Sequence, residues 1–148
     1  MKYRGQCHCG DVKCETDLSP MLVLQCNCNS CRKKTGSMSV VCLYAIEEIK
    51  FTGKTSQYTY KGGSGGNIFA EHCEVCHTRV YNTFDYMEGM ASVPIGIFEY
   101  ASEFSPKLEI WTSAKLDWLK DDGCIQNHVE DSGVKERLVA LLEKLEDR

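Results

Sequence analysis

The sequence lacks the features that place a chain in a membrane or on a nucleic acid. It contains no run of about 18 apolar residues, the length that a membrane-spanning helix needs. Its first ten residues include no apolar segment and no cleavage pattern of a secretory signal. Positive charge is not in excess either, because the formal net charge is -4 at pH 7, and phosphate binding needs a concentrated basic face. We therefore predict a cytoplasmic protein that binds neither a membrane nor nucleic acid.

Cysteine, by contrast, is abundant, with ten among 148 residues. An even cysteine count suggests disulfides in a secreted chain, but the predicted reduced location argues against them here. Thiols that stay reduced and cluster at spacings of two or three residues are more typical of metal ligands. Seven of the ten are clustered in this way: Cys7 and Cys9; Cys26, Cys28 and Cys31; Cys73 and Cys76.

The first and third clusters together predict a structural zinc site. One is a C-x-C pair and the other a C-x-x-C pair, so together they supply the four thiolates of a closed tetrahedral site. Because the pairs are far apart in sequence, the metal would close a long loop and supply folding free energy. Iron–sulfur clusters also use four thiolates, but their familiar cysteine runs are spaced differently. The predicted ligands are Cys7, Cys9, Cys73 and Cys76.

The middle cluster, formed by Cys26, Cys28 and Cys31, offers only three thiols. Zinc that is held by three protein ligands keeps a fourth position open for chemistry. The alternative is an inert zinc site that a fourth side chain closes, and a third reading is redox or metal buffering by the same thiols. The candidates for a fourth ligand are Cys42, Cys124, His8, His72 and His77. The sequence leaves these alternatives open.

An open three-thiolate zinc site suits a particular chemistry. Three thiolates around Zn²⁺ leave a net negative charge, which favours an exchangeable thiolate that stays ionised and nucleophilic at neutral pH. A thiol held beside an aldehyde adds to it to give a hemithioacetal. The next residues, Arg32, Lys33 and Lys34, form a solvated face, or steer an anionic substrate toward the thiolates, or do both.

Short alternating or apolar segments predict a mainly β fold. The predicted strands are residues 12–16, 21–25, 39–46, 57–61, 80–84, 91–98 and 108–112. Pro94 predicts that 91–98 is an edge strand, and the glycine-rich residues 62–66 predict a hairpin connection or a mobile lid. Leucines at helical spacing behind Ser132 predict an amphipathic C-terminal helix over about 132–146. No linker or repeat occurs, so we predict one domain over residues 1–148.

The remaining local signals concern a helical turn and two isolated cysteines. Ser30 is predicted to cap a short helical turn that ends at Gly36, since serine favours caps and glycine favours the position after a helix. Cys14 and Cys42 lie within predicted strands, away from the clusters. Because free cysteine usually packs as a small hydrophobe, we predict that both lie in the core.

The ordered motifs resemble the glutathione-dependent formaldehyde-activating enzyme family. They are Gly5-x-Cys7-His8-Cys9-Gly10-x-Val12, Cys26-x-Cys28-x-x-Cys31-Arg32-Lys33-x-Thr35-Gly36-Ser37, Cys73-x-x-Cys76 and Pro106-x-x-Glu109-Ile110-Trp111. The resemblance runs from about residue 5 to about residue 118. It implies an Mss4-like zinc-binding fold of several small antiparallel sheets, here with the C-terminal helix added.

The resemblance also implies an activity and the residues that carry it. It implies condensation of formaldehyde with glutathione to S-(hydroxymethyl)glutathione, the work of a carbon–sulfur lyase. It assigns the structural zinc to the first and third cysteine clusters and a second, catalytic and more labile zinc to Cys26, Cys28 and Cys31. Glutathione would be the co-substrate, with Arg32, Lys33 and Lys34 as candidate contacts, and a small thiol and an aldehyde would be the partners.

Three positions depart from the family pattern without removing a metal ligand. Asn27 stands where the family commonly has histidine, His77 stands where glycine usually follows the third cluster, and histidine is often found where Glu109 stands. The sequence therefore predicts a zinc-dependent lyase that forms or cleaves S-(hydroxymethyl)glutathione or a related thiol adduct. The alternative is a zinc-stabilised Mss4-like binding module without catalysis.

Overall fold

The computed structural model describes residues 3–120 and 123–147, and the predicted domain bounds, residues 1 and 148, lie outside them. The strands are β1 (Tyr3–Gln6), β2 (Lys13–Thr16), β3 (Leu22–Cys26), β4 (Ser39–Ala45), β5 (Lys50–Thr52), β6 (Thr55–Lys61), β7 (Asn67–Cys73), β8 (Arg79–Phe84), β9 (Met90–Pro94), β10 (Leu108–Ile110) and β11 (Asn127–His128). The α-helices are α1 (Asn29–Thr35) and α2 (Val134–Glu146). The fold is mainly β with one C-terminal helix, as predicted.

The strands form two sheets, one small and one large. The small sheet has the order β1-β2-β5, and the large sheet has the order β11-β10-β3-β4-β9-β8-β7-β6. Most neighbours are antiparallel, but β10 runs parallel to both β3 and β11. The parallel pairing sets Glu109 beside Gln25 and Ile110 beside Cys26. Residues that are distant in sequence therefore meet next to the middle cysteine cluster.

The central strand β4 is buried on both faces, which explains its nearly continuous apolar sequence. Side chains alternate between the faces of a strand, so Cys42 and Tyr44 enter one core cluster while Val41 and Leu43 enter the other. Cys14 lies in the first cluster with Cys42. Both cysteines are therefore core residues, as predicted.

Two strand predictions need correction. Residues 91–98 do not form an edge strand, because β9 lies inside the large sheet between β4 and β8. Proline is tolerated there because Pro94 is the last residue of β9, and the chain then turns into a short 3₁₀ helix at Ile95–Ile97. The predicted strand 108–112 stops at Ile110, since Trp111 adopts the left-handed conformation with φ 58°.

The helix caps also differ from the prediction. The Cys28 side chain caps α1 by accepting a hydrogen bond from the backbone N–H of Cys31, so Ser30 lies inside the helix. Gly36 ends α1 in the left-handed conformation, as predicted. Gly133, not Ser132, precedes α2, and a Cβ atom there would lie 2.8 Å from Ile110 Cγ2. Only glycine fits this positive φ and this close approach without strain.

The position of Gly133 determines which face of α2 meets the sheet. Arg137 and Leu141 follow it at intervals of four residues, and both are buried. Leu138 and Leu142, which the sequence pattern places on the apolar face, are 50% and 61% exposed. The residues 62–66 connect β6 and β7 as a hairpin, as predicted. No helix within the described ranges is long and apolar enough to cross a membrane.

Candidate metal centres

The first and third cysteine clusters meet as one group of four thiols. Their sulfur atoms all lie within 4.8 Å of one another. The Sγ atoms of Cys7 and Cys9 are 3.5 Å apart, and those of Cys9 and Cys73 are 3.7 Å apart. A tetrahedral zinc ion with Zn–S bonds of about 2.3 Å requires sulfur–sulfur distances of about 3.8 Å. The four-cysteine group, Cys7, Cys9, Cys73 and Cys76, therefore fits zinc without rearrangement.

Two tight turns aim these thiols at a common point. In the first turn, Gly10 donates its N–H to the carbonyl of Cys7 and has φ 86°, and the backbone N–H of Val12 lies 3.2 Å from Cys7 Sγ. In the second, His77 donates its N–H to the carbonyl of Cys73. His77 adopts φ 57°, so it carries at this turn the conformation that glycine adopts more readily.

The surroundings of Cys76 favour the thiolate form that a metal needs. Hydrogen bonds that the hydroxyl and the backbone N–H of Thr78 donate to the thiolate sulfur lower the pKa of Cys76 to about 5. The Thr78 oxygen lies 3.2 Å from Cys76 Sγ. The hydrogen-bonded thiol is therefore prepared to ligate a cation near neutral pH.

The middle cluster forms a separate group of three thiols. Cys26 ends β3, Cys28 caps α1, and Cys31 lies in the first turn of that helix, with all three sulfurs within 4.8 Å of one another. Among the described residues, no further histidine, cysteine or carboxylate joins this group. Within the described ranges, side chains thus offer three possible ligand atoms here, against four in the other group.

The candidates for a fourth ligand lie elsewhere. Cys42 is fully buried in the core. His77 belongs to the turn of the four-cysteine group, and His8 adjoins that turn through a hydrogen bond from its backbone N–H to Thr78. The Nδ1 atom of His72 lies 3.2 Å from the carbonyl of Ala70. Neither these side chains nor Cys124 belongs to the three-thiol group.

The three thiols of the middle cluster ionise unequally. Hydrogen bonds from the thiols of Cys26 and Cys31 lower the pKa of Cys28 to about 2. The hydrogen bond between Cys26 and Cys28, followed by that between Cys26 and Cys31, raises the pKa of Cys26. Cys28 is therefore the first of the three to become a thiolate. Its place at the cap of α1 adds support, since a helix N-terminus stabilises negative charge.

The three-thiol group opens into a cavity of about 80 Å³. Apolar side chains such as Leu24, Val41 and Phe84 form much of its wall. Two guanidinium groups also line it, from Arg79 on β8 and Arg137 on α2. The described part of the wall contains no Asp or Glu.

Trp111 separates this cavity from a wider groove of about 340 Å³ on the protein surface. Both spaces are bounded by Cys28, Ser30, Gly63 and Trp111. A Cβ atom at Gly63 would lie 2.7 Å from Trp111 Cζ2, so the backbone of the β6–β7 hairpin rests directly on the indole ring. The strained backbone of Trp111, a bulky residue with positive φ, places the ring at this boundary.

The predicted basic residues lie beside the cavity and do not line its wall. Arg32, Lys33 and Lys34 occupy the last turn of α1. The ammonium group of Lys34 lies 3.7 Å from the centre of the Tyr60 ring and donates a hydrogen bond to the Tyr60 hydroxyl. Tyr60 itself lines the cavity. Lys34 therefore contacts the cavity wall through this tyrosine, and its positive charge also interacts with the three thiols.

Sequence reasoning missed both cavity arginines. A signal for Arg137 was present, because this residue falls among Val134, Leu138 and Leu141 at helical spacing. A charged residue inside an apolar stripe has to be buried with a partner or to face a cavity. Arg79 gave no such signal, since β8 carries a mixture of polar and apolar residues.

A buried carboxylate fixes the loop that carries two of the three thiols. Glu109 is 1% exposed, and its Oε1 atom accepts hydrogen bonds from Gln25 (2.8 Å) and Asn27 (2.9 Å). Lys115 Nζ lies 2.8 Å from Oε1, and His128 Nδ1 lies 2.7 Å from Oε2. Two of the positions that depart from the family pattern, 27 and 109, are therefore in direct contact.

The charge of Glu109 is stabilised despite its burial. Burial alone raises its pKa, but the hydrogen bonds from Lys115, Asn27 and His128 outweigh burial, and the pKa is lowered overall. Asn27 also donates its backbone N–H to the carbonyl of Ile110, at 3.1 Å. The segment between Cys26 and Cys28 is thus held to β10 through both backbone and side chain.

The comparisons with known proteins agree with this architecture. Residues 2–114 match the family model described as glutathione-dependent formaldehyde-activating enzyme. The chain is also similar to the crystal structure of a Rhodobacter sphaeroides protein, a structural genomics target, with a TM-score of 0.53 and 19% identity over 66% of this chain and 88% of that chain. Helix α2 lies beyond the residues that match the family model.

Proposed function

The chain belongs to the glutathione-dependent formaldehyde-activating enzyme family, and we propose that it is a zinc-dependent carbon–sulfur lyase. It would form or cleave S-(hydroxymethyl)glutathione or a related adduct of a small thiol and an aldehyde. The observation that carries this proposal is the three-thiol group, to which the described residues add no fourth ligand and which opens into a cavity. The proposed catalytic ligands are Cys26, Cys28 and Cys31, and the four-cysteine group would hold a structural zinc.

The addition of a thiol to an aldehyde needs no oxidant or reductant. In the forward direction, the thiol sulfur bonds to the aldehyde carbon, the C=O π bond opens, and the thiol proton ends on the oxygen. A zinc ion held by Cys26, Cys28 and Cys31 would supply a position that keeps an exchangeable thiol ionised near neutral pH. The apolar wall, including Leu24 and Val41, excludes water from the reacting groups.

Tyr60 is the proposed donor to the developing oxygen anion. Burial raises the pKa of its hydroxyl, so this group stays protonated near neutral pH. Lys34 donates to the hydroxyl oxygen, which leaves the hydroxyl proton free to be donated into the cavity. A donor held where negative charge develops stabilises the transition state more than the ground state.

Metal content and adduct formation test the proposal together. We expect two zinc ions per chain, of which millimolar glutathione perturbs one, and accumulation of S-(hydroxymethyl)glutathione faster than without protein, followed by ¹³C NMR with labelled formaldehyde. Cys28→Ser should abolish the acceleration while Cys124→Ser, outside both groups, should keep it. If glutathione neither binds nor perturbs one of two zinc ions, the proposed function is wrong.

The alternative is a zinc-stabilised Mss4-like binding module without catalysis. The half-exposed Leu138, Leu142 and Leu145 on α2 favour it, since such side chains suit contact with another protein. It predicts a tightly held second metal that glutathione does not perturb. A cytoplasmic location stays a prediction from the reduced cysteine clusters, and Arg32, Lys33 and Lys34 stay proposed contacts for an anionic substrate.

A further inference from the structure

Arg137 is a buried charge in the cavity wall without a matching partner. Its side chain belongs to a residue only 7% exposed, and its Nε atom is buried with no hydrogen-bond partner. Its Nη2 atom lies 3.4 Å from Ser64 Oγ, and its Nη1 atom lies 3.9 Å from Met87 Sδ. Among the side chains that the structure describes, no carboxylate forms an ion pair with it.

These contacts leave most of the guanidinium unsatisfied. The group has five N–H donors in a fixed plane, and one long hydroxyl contact with one thioether contact uses few of them. A buried charge without a partner costs several kcal/mol, whereas guanidinium binds a carboxylate through two parallel hydrogen bonds. The protein scaffold thus presents half of an ion pair to the cavity.

The charges of the described residues around the cavity are positive in excess, even with a metal ion bound by the three thiols. Three thiolates around a divalent ion carry a net charge of -1. Arg79 and Arg137 together contribute +2, and the described wall contains no Asp or Glu. Arg79 donates a hydrogen bond to Ser39 Oγ at 2.7 Å, so its position is fixed by a neutral group. Lys34, which donates a hydrogen bond to the cavity-lining Tyr60, adds a further positive charge at the edge of the cavity, so the surroundings favour an anion.

The size of the cavity limits what that anion is. Its volume of about 80 Å³ is far below the roughly 300–1,000 Å³ of sites that enclose drug-sized ligands. It is several times the space of about 10–15 Å³ that one water needs. A whole tripeptide does not fit inside, but a carboxylate attached to a carbon or two does.

We propose that Arg137 is a substrate-binding residue that pairs with a carboxylate located a few atoms from the reacting sulfur or carbon. The role of this carboxylate in the reaction rests on the proposed function, whereas its binding to Arg137 does not. It assigns the substrate to the class of small thiols or aldehydes that carry an acid group. Because α2 lies beyond the residues that match the family model, this preference belongs to the added helix of this chain.

Matched pairs of small molecules test the charge preference on the zinc-loaded, full-length protein. Mercaptoacetate and 2-mercaptoethanol are thiols with and without a carboxylate, and glyoxylate and acetaldehyde are aldehydes with and without one. Acetate and acetamide differ in charge but have no reacting group, so they test the binding of the carboxylate alone. We expect acetate to bind more tightly than acetamide by at least about tenfold in NMR titrations. The thiol pair is measured by calorimetry and the aldehyde pair by KM with a common thiol, and the pair with the larger preference identifies which substrate carries the acid.

Two substitutions separate charge recognition from structure. Arg137→Met should remove the preference within each pair, while the binding of 2-mercaptoethanol and the zinc content stay unchanged. Arg137→Lys should restore part of the preference, because it keeps the charge without the planar fork. Lys135→Met removes the same charge from an exposed position of the same helix and should behave as the wild type.

Three results would overturn this inference. Equal binding of acetate and acetamide by the wild type would show that no carboxylate site exists. An unchanged preference in a folded Arg137→Met protein, or in Arg137→Gln if that variant does not fold, would show that another group recognises the acid. Loss of zinc in Arg137→Met without a change in preference would show that Arg137 balances the metal centre instead. If thiols fail to bind the wild type while acetate still binds through Arg137, the proposed function fails and this inference stands.

Discussion

Both cysteine groups are built from thiol sulfurs, but they differ in the number of thiols and in the segments that supply them. The four-cysteine group joins two distant segments, and its members lie at two tight turns. The three-cysteine group comes from one short segment between β3 and α1, and it borders a cavity with two arginines. A metal in the four-cysteine group would join two distant segments of the chain. A metal in the three-cysteine group would keep one coordination position for a small molecule in the adjoining cavity. The number and origin of the ligands, not their chemistry, separate the proposed structural role from the proposed catalytic one.

The largest expected effect comes from breaking the four-cysteine group. Cys73→Ser should leave the protein unfolded, because a structural zinc contributes roughly 10 kcal/mol or more of folding free energy, which is comparable to the whole stability of a typical domain. Cys28→Ser should stay folded but inactive, since serine can still cap α1. Circular dichroism on heating and zinc content measure the contrast. If both variants unfold alike, the two groups do not differ in role.

The next effect concerns the support of the three-cysteine group. Glu109→Gln should lower the free energy of unfolding by about 3 kcal/mol, because it leaves the charge of Lys115 without its buried partner. It should also loosen the second zinc, since Asn27 depends on the Glu109 carboxylate. Urea unfolding and chelator competition measure the two losses. Glu130→Gln, at an exposed site, is the control and should change neither.

A smaller effect is expected on the reaction alone. Tyr60→Phe should lower kcat by about a hundredfold if its hydroxyl donates to the developing oxygen anion, and the zinc content and the melting temperature should stay near wild-type values. Tyr58 stacks on Tyr60 with ring centres 5.5 Å apart and is exposed, so Tyr58→Phe is the matched control. Equal activity of the two variants would remove Tyr60 from the proposed mechanism.

The smallest effect is a dependence of stability on pH. The pKa of Glu109 is lower in the folded protein than its ordinary value of about 4.3. The unfolded chain therefore binds more protons between these two pKa values, so stability rises with pH across that window and is complete above it. On acidification, the contribution is lost as pH falls through the folded pKa. Unfolding curves between pH 3 and pH 6 should show a shallower pH dependence for Glu109→Gln, and parallel curves would contradict the assignment.

Local patterns in the sequence predicted much of this molecule. The spacing within each cysteine cluster reflects short-range geometry, so the sequence predicted all seven members of the two groups of thiols that could hold a metal. The apolar sequence of β4 and the glycine at position 36 were equally local signals. The edge position predicted for residues 91–98 was wrong because the order of strands in a sheet depends on pairing between distant segments. The face of α2 was also misjudged, because the contact of Gly133 with Ile110 sets the orientation of that helix.

The sequence by itself determined the mainly β class, the two groups of thiols and the presence of a C-terminal helix. These features follow from the period of apolar residues and from the spacing of the cysteines, and both patterns depend only on residues that are close together in the sequence. Only the tertiary structure decided that Glu109 meets Asn27 and that Arg137 lines the same cavity as the three thiols. Both contacts depend on the parallel pairing of β10 with β3 and on the packing of α2, which join residues that are distant in the chain.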